Sequence, residues 1–152
     1  MYVAVLFIHS WLRYAVLAAG LWCLIASIRG LKRGGAWRQA DERVHVGFLA
    51  VLDTQLLLGL TLYFFLSPIS AAAWGNWAVA MKEPTLRFFG VEHIATMLLA
   101  LAVAHLGRVR SKRRHDTARY RSVLITQCVW LVLTLIAIPW PGLDIARPLF
   151  RS

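Results

Sequence analysis

Between Leu86 and Gly107 the chain reads LRFFGVEHIATMLLALAVAHLG, an apolar run that nevertheless holds Glu92, His93 and His105. Such a run is long enough to cross a bilayer. An ionisable side chain in hydrocarbon costs about 2.5–3.5 kcal/mol on insertion scales, so it faces a bundle interior and takes a partner. The partners on offer lie in two other apolar runs: His9 and Arg13 in the first, His45, Asp53 and Gln55 in the second. Two imidazoles on different helices at one depth can hold the two faces of a haem iron, each through a neutral nitrogen. The competing reading of the same residues is a pair of hydrogen-bonded membrane histidines. Zinc asks for three or four protein ligands, thiolate or carboxylate among them, and Glu92 is rotated about 100° from His93 on a helix.

The elements that position these residues are four. Apolar spans are expected at about 3–28, 44–66, 86–107 and 122–138, within one domain covering residues 1–152. The second stops at Ser67-Pro68 and the fourth at PWPG, since proline cannot continue the hydrogen-bond ladder. The stretch between spans two and three reads as a loop or short interfacial helix, with Trp74 and Trp77 at headgroup level. Two connecting stretches, RGLKRGGAWRQADER and RVRSKRRHDTARYR, are strongly basic, and the one between them is not. The positive-inside rule then places both basic stretches in the cytoplasm and both termini outside. The expected fold is all-α, an integral membrane four-helix up-down bundle.

The bulk numbers agree. The chain has 152 residues, 59% of them hydrophobic, and a mean hydropathy of +0.61. Its net charge of +10 would suggest nucleic acid in a soluble protein. Here the excess sits at the expected membrane boundary, so the lipid bilayer is the partner and nucleic acid is not. The start, MYVAVLFIHSWLRY, has no basic n-region or cleavage site and reads as a retained first helix. Cys23 and Cys128 lie in apolar runs without a C-x-x-C or C-x-x-C-H, which argues against zinc ribbons, thioredoxin chemistry and covalent c-type haem. No nucleophile–base pattern or phosphate loop points to an autonomous enzyme.

Depth sorts the polar residues into pairs. With ~1.5 Å of rise per residue, His9 lies ~9 Å below the outer boundary, Arg13 ~15 Å and His93 ~10 Å. His9 and His93 therefore form the sharpest cross-helix pair. Met97 falls one turn below His93, and Ala100 and Ala104 continue a small-residue stripe that admits a helix or a flat ligand. Gly59, on the face of Gln55, allows close packing or a porphyrin edge. Arg13, with Asp53 or Glu92, reads equally as a buried salt bridge that fixes helix register. His45 and His105 form a second pair near the inner surface, or else are interfacial. Arg87 and Lys82 sit where they can hold haem propionates or snorkel to the interface.

Taken together, HSWLRY, DTQLLLGLTLYF, LRFFGVEHIATM, AHLGR and IPWPG resemble the small four-span bacterial inner-membrane family often labelled cytochrome b, over nearly the whole chain. Gln55, Gly59 and His93 are also reminiscent of one half of a haem A synthase. The resemblance implies membrane haem association, carried onto His9 and His93. It also implies a histidine where this chain has Asp53, so a ligand on span two is not expected here. The expected cofactor is haem b, with His9 and His93 as iron ligands, Arg13 or Arg87 near the propionates, and Gly59 and Met97 against the ring. The expected role is electron transfer in a respiratory or quinone-linked chain of the inner membrane, alone, as a homo-oligomer or within a larger complex. Two rivals stay open: a cofactor-free accessory or assembly subunit, and a proton or small-ion conduit through Arg13, Asp53 and Glu92.

Overall fold

A computed structural model describes residues 1–143 and 145. Helix α1 covers Tyr2–Arg33 and α2 covers Gln39–Thr61, prolonged by a π-helical turn at Leu62–Leu66. Three short helices follow: α3 (Pro68–Gly75), α4 (Trp77–Ala80) and α5 (Pro84–Arg87). A second π-turn, Phe88–Glu92, leads into α6 (His93–Lys112), and α7 covers Asp116–Ala137. Four continuous helical stretches, Tyr2–Arg33, Gln39–Leu66, Pro84–Lys112 and Asp116–Ala137, are long and apolar enough to cross a membrane. The fold is thus the expected all-α four-helix bundle. The end of the chain at Ser152, expected on the outer side, lies outside the described residues.

The basic stretches are less connection and more helix than expected. Most of RGLKRGG is the last turn of α1, and RVRSK closes α6, leaving only residues 34–38 and 113–115 as connections. Arginine and lysine are good helix formers, and at a helix C-terminus they face the negative end of its dipole. Gly34 and Gly35, at φ 66° and 101°, end α1 in a conformation that side chains resist. The connection between the second and third long helices is helical as well, because each short helix has its own cap. Ser67, Asn76 and Glu83 accept from the backbone N–H of Ser70, Val79 and Leu86.

The long helices pack as neighbours in the order α2, α1, α7, α6, and α2 meets α6 least closely. The core joins Val16 and Cys23 to Phe48, Leu49 and Leu52, and to Ala100, Ala104, Val123 and Trp130. Trp130 is fully buried, edge-on to Phe48 at 4.6 Å. It lies on Gly20, where a Cβ would enter its ring, and Gln127 Nε2 donates to the Gly20 carbonyl at 3.1 Å. Gly20→Ala should therefore destabilise the bundle by about 1–3 kcal/mol, the usual cost of overpacking. Unfolding in mixed micelles, followed by tryptophan fluorescence, measures it.

At the basic end a polar cluster ties four helices together. Glu42 pairs with Arg108 and with Arg119 (2.6 Å), and accepts from Trp37 Nε1 (2.9 Å). Asp41 accepts from Tyr120 Oη (2.5 Å) and Arg33 (3.2 Å), while Arg119 lies over the Trp37 ring at 4.4 Å. His45 is buried edge-on to Trp37. It does not form the expected pair with His105, which bonds across to Asp53 instead. The reason is the face each takes: His45 turns into the core, whereas Asp53 and His105 both lie part-exposed on the α2–α6 seam.

Candidate functional site

At the end of the bundle opposite this cluster, the helices spread around a cavity of about 340 Å³, a size that takes small molecules and cofactors. Its walls carry His9 and Arg13 from α1, Gln55 and Gly59 from α2, His93 and Met97 from α6, and Thr134 from α7. Leu52, Leu56 and Leu101 line it further in. Pro68, Ile69 and Ser70 of α3, in the connection between α2 and α6, cover it. Tyr63 fastens that cover: its hydroxyl donates to the Gly90 carbonyl (2.7 Å) and accepts from Trp74 Nε1 (3.1 Å). Two π-turns flank the cavity, a feature frequent at functional sites because the extra residue re-aims side chains. His93 follows one of them directly. It turns inward, while Glu92 stays outside.

The two histidines are held differently. Nδ1 of His93 donates to the Ala137 carbonyl at 2.8 Å. The hydrogen is therefore on Nδ1, and Nε2 keeps a free lone pair without a hydrogen-bond partner among the described residues. Metal-ligating imidazoles are oriented in just this way. Phe88 and Phe89 lie beside the ring at centroid distances of 5.7 and 6.1 Å. For His9, Gln55 Nε2 donates to the backbone carbonyl (3.0 Å) and lies 3.4 Å from ring Nε2. That ring contact is too long to fix the tautomer. Nδ1 of His9 is buried without a partner, as are Gln55 Oε1 and Thr134 Oγ1 on the same cavity. A buried polar atom left unpaired costs about 1–3 kcal/mol, so these three groups favour a polar or metal-containing occupant. A Cβ on Gly59 would stand 3.1 Å from His9 Cε1, so glycine is what leaves the ring its room.

Of the residues expected at the site, His9, Arg13, Gly59, His93 and Met97 line this one cavity, and Arg87 does not. Arg87 is exposed and donates to Glu92 (2.7 Å) and to the Met81 carbonyl (3.3 Å). The expected salt bridge of Arg13 with Asp53 or Glu92 is replaced. Asp53 bonds His105, Glu92 bonds Arg87, and Arg13 donates to Tyr14 Oη at 2.9 Å. This separates the three charges of the conduit reading. Tyr63, Ser70 and the α3 cover were not legible in advance, because an apolar connection with few charges gives no sign of where it folds back.

Among the described residues no three His, Cys, Asp or Glu side chains converge to hold a metal ion. Among the described residues the cavity offers two imidazoles and no carboxylate or thiolate. That donor set suits an iron whose four equatorial positions are already filled by a porphyrin, rather than zinc. Compared with protein-family models, curated proteins and solved structures, the chain matches none.

Proposed function

We propose that this chain is a haem-b-carrying multi-pass protein of the bacterial cytoplasmic membrane that passes electrons within a respiratory or quinone-linked chain. One observation carries the reading: imidazoles from two separate helices open onto one covered cavity to which the described residues bring no metal-ligating carboxylate or thiolate. His9 and His93 would hold the iron. The Ala137 carbonyl holds His93 in the tautomer that presents Nε2. Arg13, rather than Arg87, supplies positive charge toward the propionates, because it lines the cavity. Gly59 and Met97 give flat and pliable wall, and the α3 cover with its Tyr63–Gly90 bond limits access from the outer side. When bound, haem supplies one-electron redox chemistry at its iron, and the protein sets ligation, dryness and nearby charge.

The test is haem and iron content of the purified chain. Protohaem and iron are expected in proportion to protein. A folded, iron-free protein that co-purifies with a larger assembly would instead support a cofactor-free accessory subunit. Gly59→Val provides a finer check. Its side chain would press on His9 Cε1 and displace the ring, so haem content should fall by about the ~10–100-fold in affinity that disturbed ligand support costs. Titration of haem into the apo-protein measures the change.

A further inference from the structure

The thinly packed seam between α2 and α6 carries a feature that the cavity does not use. Asp53 Oδ1 and His105 Nε2 meet there at 2.8 Å, with side chains 46% and 45% exposed. On a membrane-spanning helix pair that exposure is toward lipid, the direction ionisable residues avoid. The pair sits in the middle of two outward stripes. On α2 the stripe is Val46, Ala50, Asp53 and Leu57; on α6 it is Leu98, Ala102, His105 and Val109, all the flanking residues being exposed. Both follow the 4-3-4 spacing with which one helix presents a seam to another. Small residues beside polar ones are what membrane helices use to associate.

We propose that this face binds a second copy of the chain across a two-fold axis along the membrane normal. Such an axis keeps every residue at its own depth, so a pair that is level within one chain meets the same pair in the other. When the Asp–His pair has no net charge, which hydrocarbon favours, Nδ1 of His105 carries a hydrogen and Oδ2 of Asp53 a lone pair, wherever the shared proton sits. Neither atom has a partner among the described residues. One surface thus presents one donor and one acceptor, and only a self-complementary contact, Asp53 to His105 in both directions, uses both at once. The flanks agree in size. Ala50 and Val109 lie one turn toward the basic end from Asp53 and His105, and Leu57 and Ala102 lie one turn the other way. Across the axis α2 faces α6, so each alanine meets a larger side chain at its own level.

Disulfide trapping tests this in native membranes, in chains with the exposed Cys128 replaced by alanine and the buried Cys23 kept. An Ala50→Cys chain and a Val109→Cys chain, carrying different tags, are co-expressed and oxidised. The expected result is a disulfide-linked heterodimer carrying both tags, and Asp53→Ala with His105→Ala in both chains should remove most of it. Two tagged Val132→Cys chains, altered on the exposed face of α7, should stay unlinked. A monomeric mass in lipid nanodiscs with no trapped heterodimer would overturn the proposal and leave lipid or a small ligand as what covers the pair. Trapping at Val132 instead of Ala50 and Val109 would overturn it equally.

Discussion

Replacing His93 with alanine is expected to yield a folded chain that has lost its haem, while His45→Ala stays coloured. The two histidines make a fair comparison, since both lie within membrane-spanning helices, His45 buried and His93 part-buried. His45 packs on Trp37 at the basic end, away from the cavity. His93 is aimed at the cavity by the Ala137 carbonyl. Loss of a ligand should exceed the ~10–100-fold that disturbing its supporting partner costs. The substitution also leaves the Ala137 carbonyl without its donor, a penalty of about 1–3 kcal/mol. Unfolding measurements must therefore accompany the spectra. Imidazole added to His93→Ala should restore part of the absorption if the lost group is a ligand. A coloured His93→Ala protein with unchanged spectrum would remove His93 from the site.

Glu42→Ala is expected to be the most destabilising single change at the basic end, by about 3–5 kcal/mol. One carboxylate there holds Arg108 from α6, Arg119 from α7 and the Trp37 indole from the α1–α2 connection. The two arginine side chains are only 16% and 17% exposed. Removing Glu42 strands both charges, and two further nitrogens, Arg108 Nη1 and Arg119 Nε, are already buried without partners. An exposed pair would be worth ~0.2–1 kcal/mol. Denaturant unfolding in mixed micelles separates the two cases. A loss below 1 kcal/mol would mean that the cluster is a solvated surface network and does not bind the helices together.

Much of this was readable from residue types. Four apolar runs of membrane length leave little choice of fold, because backbone groups in lipid must be satisfied within helices. The level of His9 and His93 followed from counting residues at the helical rise, and both now line one cavity. Depth alone could not tell His45 from Asp53 as the partner of His105, because the face decides it: His45 is buried in the core, while Asp53 and His105 are both part-exposed on the α2–α6 seam. The partners of Glu42 were hidden for a different reason. The chain has only seven acids against seventeen Lys and Arg, so a single acid has many candidate cations, and only packing selects Arg108 and Arg119. Arg87 was judged by depth alone. Its neighbour Glu92, five residues on, claims it at the surface.

The most direct test of the central idea, two imidazoles on one iron, is low-temperature electron paramagnetic resonance of the purified, oxidised protein. The expected result is a low-spin ferric signal from bis-imidazole ligation, lost in both His9→Ala and His93→Ala. A high-spin ferric signal in the unaltered chain, a low-spin signal that survives either substitution, or folded protein without iron would contradict it.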